Sequence, residues 1–246
     1  MITLEEYHRC GEVLERLLML RTSPIAVKML EKEGDIPADA VRPKRDRGHH
    51  LAQCQAFALS RRRRETIAML KEDHWCPAPM IAYGMVERLN PPGHVTVHDY
   101  DCFEYGRYIG VVTAPLKTAS FAPDVVIIYS NTAQLRSLLL SEDEARPLVE
   151  GRFFPPSCDY AVVSVMKTGR YFVVLPDPGE YQRALTGEDE MMFSVPADKL
   201  AGLVEDLKNF EDHGFAYHNA DRLMQPDFAR PDFYKKMFRA WGLDDS

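Results

Sequence analysis

The run Asp124-Val125-Val126-Ile127-Ile128-Tyr129-Ser130 constrains the fold of this chain more than any other stretch. Its apolar residues are continuous rather than alternating, the pattern of a strand covered on both faces. Ala122-Pro123 introduces it. Asn131 follows it at once and can cap a helix carrying Leu135, Leu138, Leu139 and Leu140. A strand buried on both sides needs a layer above it and a layer below, so the chain must build a layered domain.

The remaining segments alternate in the same way. Thr3 and Glu6 form a capping box ahead of a helix from about Leu4 to Leu20, whose apolar stripe includes Cys10 as a core filler. Pro24 opens the strand-like PIAVKML, and a long connection then ends at His49-His50. Residues from Leu51 to about Ser60 are good helix formers. The four consecutive arginines Arg61 to Arg64 read as a solvated helix end, after which Thr66 to Leu70 reads as a strand. Pro77 and Pro79 suit the first turn of a helix running through Met80, Ile81 and Tyr83. HVTVHDYDCF alternates like a half-buried strand, and Gly151 to Pro156 reads as a loop. Ser157 caps a helix from Cys158 to Gly169, YFVVLP is another buried strand, and DPGEYQR is a turn. MMFSV is a strand before the amphipathic helix that opens at Pro196. The expected fold is therefore α/β or α+β, a layered domain with a mixed sheet whose strands lie near 24–30, 66–70, 95–101, 124–130, 171–175 and 191–195. Residues 1–210 are expected to form a single domain, and 211–246 a C-terminal extension packing on it.

Composition narrows the function by exclusion. A net charge of -7 argues against broad nucleic-acid binding, and no apolar run approaches the roughly 20 residues of a membrane helix. The acidic, helical N-terminus lacks the basic and apolar regions of a signal peptide, which points to the cytoplasm. No dinucleotide, P-loop or nucleophile-elbow motif occurs. Five cysteines in a chain read as cytoplasmic imply free thiols rather than a disulfide framework.

Cys54, Cys76 and Cys158 all fall at or near expected helix starts, where free N–H groups and the helix dipole favour thiolate. Thiolates select soft or borderline metals, so an iron–sulfur cluster or zinc are the candidates. Cys102, His74, His50 and His49 are the candidates for a further ligand. Separations of 22 and 82 residues between the three cysteines contain no local C-x-x-C pair, so any ligands must be brought together by the fold. Spacing alone leaves metal ligands and buried structural cysteines both open. Arg183 is a candidate for binding an anionic substrate bidentately.

SPIAVKML, AQCQAF, HWCPAPMIAYGM, PDVVIIYSNTAQLRSLL, the helix at Cys158, DPGEYQR and EDEMMFSVPADKLAGLVEDL, in this order over about residues 5–210, resemble the uncharacterised archaeal and bacterial ArCR-type family. That family is described as having cysteines suspected of metal binding, which here implies Cys54, Cys76 and Cys158. A glycine pair commonly follows the second cysteine in the family, whereas Pro77-Ala78-Pro79 follows it here and alters the backbone close to any ligand. The expectation is a prokaryotic metal-binding protein, holding a [4Fe-4S] cluster for redox or small-molecule chemistry, with a small-molecule substrate or a redox partner. The alternatives are a zinc protein on the same ligands, or a metal-free binding or regulatory module with a pocket formed by Trp75, Met80, Tyr83 and Tyr105.

Overall fold

The computed structural model describes residues 2–88, 101–141, 149–213, 217, 230 and 232–243. Seven strands form one mixed sheet: β1 (Ile25–Leu30), β2 (Ile67–Leu70), β3 (Gly110–Pro115), β4 (Val125–Ser130), β5 (Val149–Arg152), β6 (Tyr171–Val174) and β7 (Met191–Pro196). Their spatial order is β2-β3-β1-β4-β7-β6-β5. Every neighbouring pair is antiparallel except β5 and β6.

Side chains alternate across the sheet and feed two separate cores. Ala26 and Leu30 of β1, Val126 and Ile128 of β4 and Phe193 of β7 face one core. It is closed by α1 (Leu4–Leu17), α5 (Thr132–Leu140) and α9 (Leu200–Asp212). Cys10 is buried there, as its place in the apolar stripe of α1 requires. Ile25, Val27, Ile127, Tyr129, Phe172 and Met192 face the other way. Their core is closed by α3 (Gln53–Ala58), α4 (Pro77–Ala82) and a continuous helix formed by α6 (Ser157–Asp159), a π-helical turn and α7 (Val165–Thr168). The central strand β4 is buried along its whole length, as its unbroken apolar run demands.

Departures from the sequence reading have local causes. Gly110 opens the unexpected β3 because a Cβ there would run into Leu70 and the Met69 carbonyl. β5 replaces the first part of an expected loop, and its Val149-Glu150-Gly151-Arg152 lacks an apolar pattern because it lies at the sheet edge. DPGEYQR is no turn but α8 (Pro178–Arg183), capped by Asp177. The strand expected near 95–101 lies, but for its last residue, outside the described residues. A short α2 (Pro43–Arg47) sits in the long connection after β1, and α10 (Asp232–Ala240) has no buried residue.

The arginine run is also not simply a solvated end. The helix of α3 continues through a π-helical turn, Leu59–Arg63, and stops where Arg64 turns left-handed at φ 60. This carries Arg61 inward while Arg62, Arg63 and Arg64 stay at the surface. Its guanidinium forks onto Glu190 at 2.9 and 3.0 Å and stacks 3.8 Å from the Tyr129 ring centroid.

Candidate cysteine site

Backbone and capping contacts bring the starts of four short helical segments together. Gln55 Oε1 accepts the Ala52 N–H at 2.9 Å and fixes the first turn of α3, which holds Cys54. Leu51 bridges to His74, with its N–H on the Asp73 carbonyl at 3.0 Å and its carbonyl taking the Trp75 N–H at 2.8 Å. That bridge sets Cys76, the N-cap of α4, beside the start of α3. Asp177 caps α8 through the N–H groups of Gly179 at 2.7 Å and Glu180 at 3.2 Å. Its second oxygen accepts the Ser157 N–H at 2.9 Å, tying α8 to the turn that carries Cys158. The Cys54 thiol donates to the Gly179 carbonyl at 3.7 Å, and Tyr83 donates to the Cys158 carbonyl at 3.2 Å. The ring of contacts α3–α4–α6–α8 is thereby closed.

The Cys158 thiol lies within electrostatic reach of the other two. Burial pushes the Cys158 thiol well above its usual range, and the charges of Asp159, Asp177, Cys54 and Cys76 push the same way. Cys54 is pushed up to about 12 by burial and then by Glu180, against a hydrogen bond from Arg183. Cys76 is raised by burial, with the Ala78 N–H opposing. Burial thus outweighs the helix ends, and without a cation these groups are neutral thiols rather than reactive nucleophiles.

Buried polar atoms with no partner in the chain accompany each cysteine. They are both amide atoms of Gln53 before Cys54, Ser157 Oγ and Asp159 Oδ2 on either side of Cys158, and Nε of Arg183. Arg183 folds back over Gly179, where a Cβ would collide with the guanidinium, and lies 5.2 Å from the ring centroid of the exposed Trp75. Behind Cys54 the Glu180 carboxylate is fully buried, accepting from Tyr129 at 3.0 Å and Thr186 at 2.7 Å. Burial raises it to about 7 against those hydrogen bonds.

The fold therefore gathers Cys54, Cys76, Cys158 and Arg183 of the residues singled out in the sequence. It does not gather the rest. His49 and His50 are exposed on the loop before α3. His74 is buried and neutral, lowered to about 4 by burial against the pull of Asp73, and both its ring nitrogens lack a partner. Cys102 sits beside the later turns of the Cys158 helix, where Ser164 and Lys167 hold Asp101 and Lys167 reaches the Cys102 carbonyl at 3.4 Å. Tyr83 is fully buried while Trp75 and Tyr105 are exposed. Asp159, Asp177, Glu180 and Gln53 escaped the sequence reading. An acid directly after a cysteine at a helix start was the one available signal.

Among the described residues no three His, Cys, Asp or Glu side chains are grouped so as to hold a single metal ion. No helix among them is long and apolar enough to cross a membrane. The model of a family described as Uncharacterised ArCR, a domain of unknown function (DUF169), matches residues 13–206, most of the chain. No curated protein and no solved structure matches.

Proposed function

We propose, from the premise that this chain belongs to the ArCR family, that it holds an iron–sulfur cluster through Cys54, Cys76 and Cys158 and serves in redox or small-molecule chemistry. The observation that carries the reading is the meeting of three sequence-distant thiols among buried polar groups with no partner. An unmade hydrogen bond on a buried group costs about 1–3 kcal/mol, so those flanking Cys54 and Cys158 in the sequence argue for an absent partner. Gln53 Nε2, Ser157 Oγ and Arg183 Nε are donors that lack acceptors. Sulfide and thiolate sulfurs accept such bonds, and hydrogen bonds to sulfur tune a cluster's potential. Zinc on the same cysteines would offer its thiolates alone as acceptors, whereas a cluster adds its sulfides.

When bound, such a cluster supplies one-electron transfer or, at an iron left open, a Lewis acid. The chain's own part is to bind and shield. Cys158 is buried, Tyr83 holds its backbone, and Arg183 over Trp75 places a cation at the exposed side, suited to an acidic substrate group or an acidic redox partner.

Iron, sulfide and zinc content with a visible spectrum, on protein purified without oxygen, tests the reading. About four iron and four sulfide per chain, as in a [4Fe-4S] cluster, should be lost in Cys54→Ser, Cys76→Ser and Cys158→Ser. Zinc without sulfide would transfer the same ligands to the zinc reading. Absence of metal from the anaerobic wild-type protein would overturn both and leave a metal-free binding module.

A further inference from the structure

A pocket opens between α3, with the π-helical turn that continues it, and the chain leaving α8. Leu51, Leu59 and Leu185 give it an apolar lining, and Arg183 borders both the pocket and the cysteine site. Its volume is about 170 Å³, below the roughly 300 Å³ of a pocket for a drug-sized molecule, so a ligand of few carbons fills it.

The charges around this pocket have one sign. Arg62, Arg63 and Arg183 line it, and among the described residues no aspartate or glutamate does. Arg62 is engaged, donating to the Leu185 carbonyl at 2.6 Å and reaching Glu190 at 3.4 Å. Arg63 and Arg183 meet no carboxylate among the described residues. A guanidinium has five N–H donors, so a bond from the buried Nε of Arg183 toward the cysteines leaves the others for a ligand. In a chain of net charge -7, two guanidinium groups without a counter-charge beside an apolar wall form a place for an anion. The wall keeps the local dielectric low and strengthens that attraction.

Leu185 supports the same reading from the backbone. It is left-handed at φ 55, where a leucine is strained and a glycine is not, yet its side chain is 72% exposed. Burial within the chain does not account for a leucine there. A hydrocarbon seated in the pocket would cover it.

We propose that this pocket binds a small organic carboxylate with a short hydrocarbon body. The Arg183 fork takes the head group, Arg63 adds charge at the rim, and the body lies against Leu51, Leu59 and Leu185. This rests on the reading of Arg183 as the cation that meets an acidic substrate group, and not on the cluster.

The test titrates the full-length protein, purified without oxygen, by calorimetry with straight-chain carboxylates from butanoate to octanoate, and with hexanol, acetate and inorganic phosphate. The carboxylates should saturate, each added methylene tightening binding about three- to fourfold until the wall is covered. Hexanol, acetate and phosphate should each bind at least about tenfold more weakly than hexanoate. Arg183→Gln should weaken hexanoate by about tenfold or more, and Arg183→Lys by nearly as much, because lysine keeps the charge and loses the fork. Leu185→Gly suits the left-handed backbone, so it should keep the melting temperature while weakening hexanoate several-fold, which separates loss of binding from loss of fold. Carboxylates that fail to saturate by about 10 mM, an affinity that ignores chain length, or phosphate bound as tightly as hexanoate would each overturn the assignment. Hexanoate binding unchanged in both Arg183→Gln and Leu185→Gly would overturn it as well. Iron and sulfide measured on the same sample decide the cluster separately: binding without metal would leave the pocket standing and remove the cluster, and a cluster without binding would do the reverse.

Discussion

Arg61 is the residue on which the interior behind the cysteines depends. Its side chain has no exposed surface, its fork meets both oxygens of Glu190, and its face stacks on Tyr129. Burial pushes Glu190 up, but the Arg61 hydrogen bonds and the Gly187 N–H hold it below the usual carboxylate range. Removing one partner of a buried pair strands the other, at about 3–5 kcal/mol. Arg61→Met should therefore lower the unfolding free energy from urea denaturation by that much, through a lower midpoint at an unchanged slope. Lysine cannot fork and stack together, so Arg61→Lys should lose about 2 kcal/mol or more. A lysine variant within about 0.5 kcal/mol of wild type would show that charge alone matters there. Because Tyr129 also donates to Glu180, which acts on Cys54, the same substitution reaches the candidate site through one ring.

Among the elements, α8 does more than its six residues suggest. Its cap Asp177 serves its own first turn with one oxygen and the Cys158 turn with the other. Asparagine caps a helix about as well as aspartate, but its amide nitrogen cannot accept from Ser157. Asp177→Asn should thus cost about 1 kcal/mol and speed amide exchange at Ser157 while leaving Gly179 and Glu180 protected. Equal loss of protection at all three would show that the cap itself had failed. This double duty explains what could be read in advance. Continuous apolar runs announced β1, β4, β6 and β7, and Pro77-Ala78-Pro79 announced the start of α4, because those signals are local. β3 was hidden by the glycine its crowded neighbour requires, and β5 by its edge position. The site was legible as three cysteines at helix starts. Its carboxylates were not, since whether Asp159 or Glu180 is buried depends on which segments the fold stacks over it. Arg61 was misread for the same reason: a four-arginine run says nothing of the π-helical turn that rotates one member inward.

Across the whole molecule, the sheet separates a plain apolar core under α1, α5 and α9 from a core that buries ionisable groups, and pH should act through the second. Two buried groups on that side oppose each other. His74 is lowered by burial from 6.5 to about 4, so the unfolded chain takes up a proton that the fold refuses. Its contribution is complete above the unfolded value and is lost as pH falls toward 4. Glu180 is raised by burial from 4.5 to about 7, so the fold keeps a proton that the unfolded chain releases. Its contribution is complete below 4.5 and is lost as pH rises through 7. Each shift corresponds to about 3 kcal/mol over its window, and between 4.5 and 6.5 the two slopes cancel. Glu180→Gln imitates the protonated carboxyl and removes one slope. Against wild type, the metal-free variant should gain about 3 kcal/mol in urea denaturation at pH 8 relative to the same comparison at pH 4.5. A difference between the two proteins that stays constant from pH 4.5 to 8 would mean that Glu180 remains ionised in the fold. Arg61 would then have to neutralise both buried glutamates, and the cysteine site would lie beside a fixed negative charge instead of a group that gains and loses a proton near neutrality.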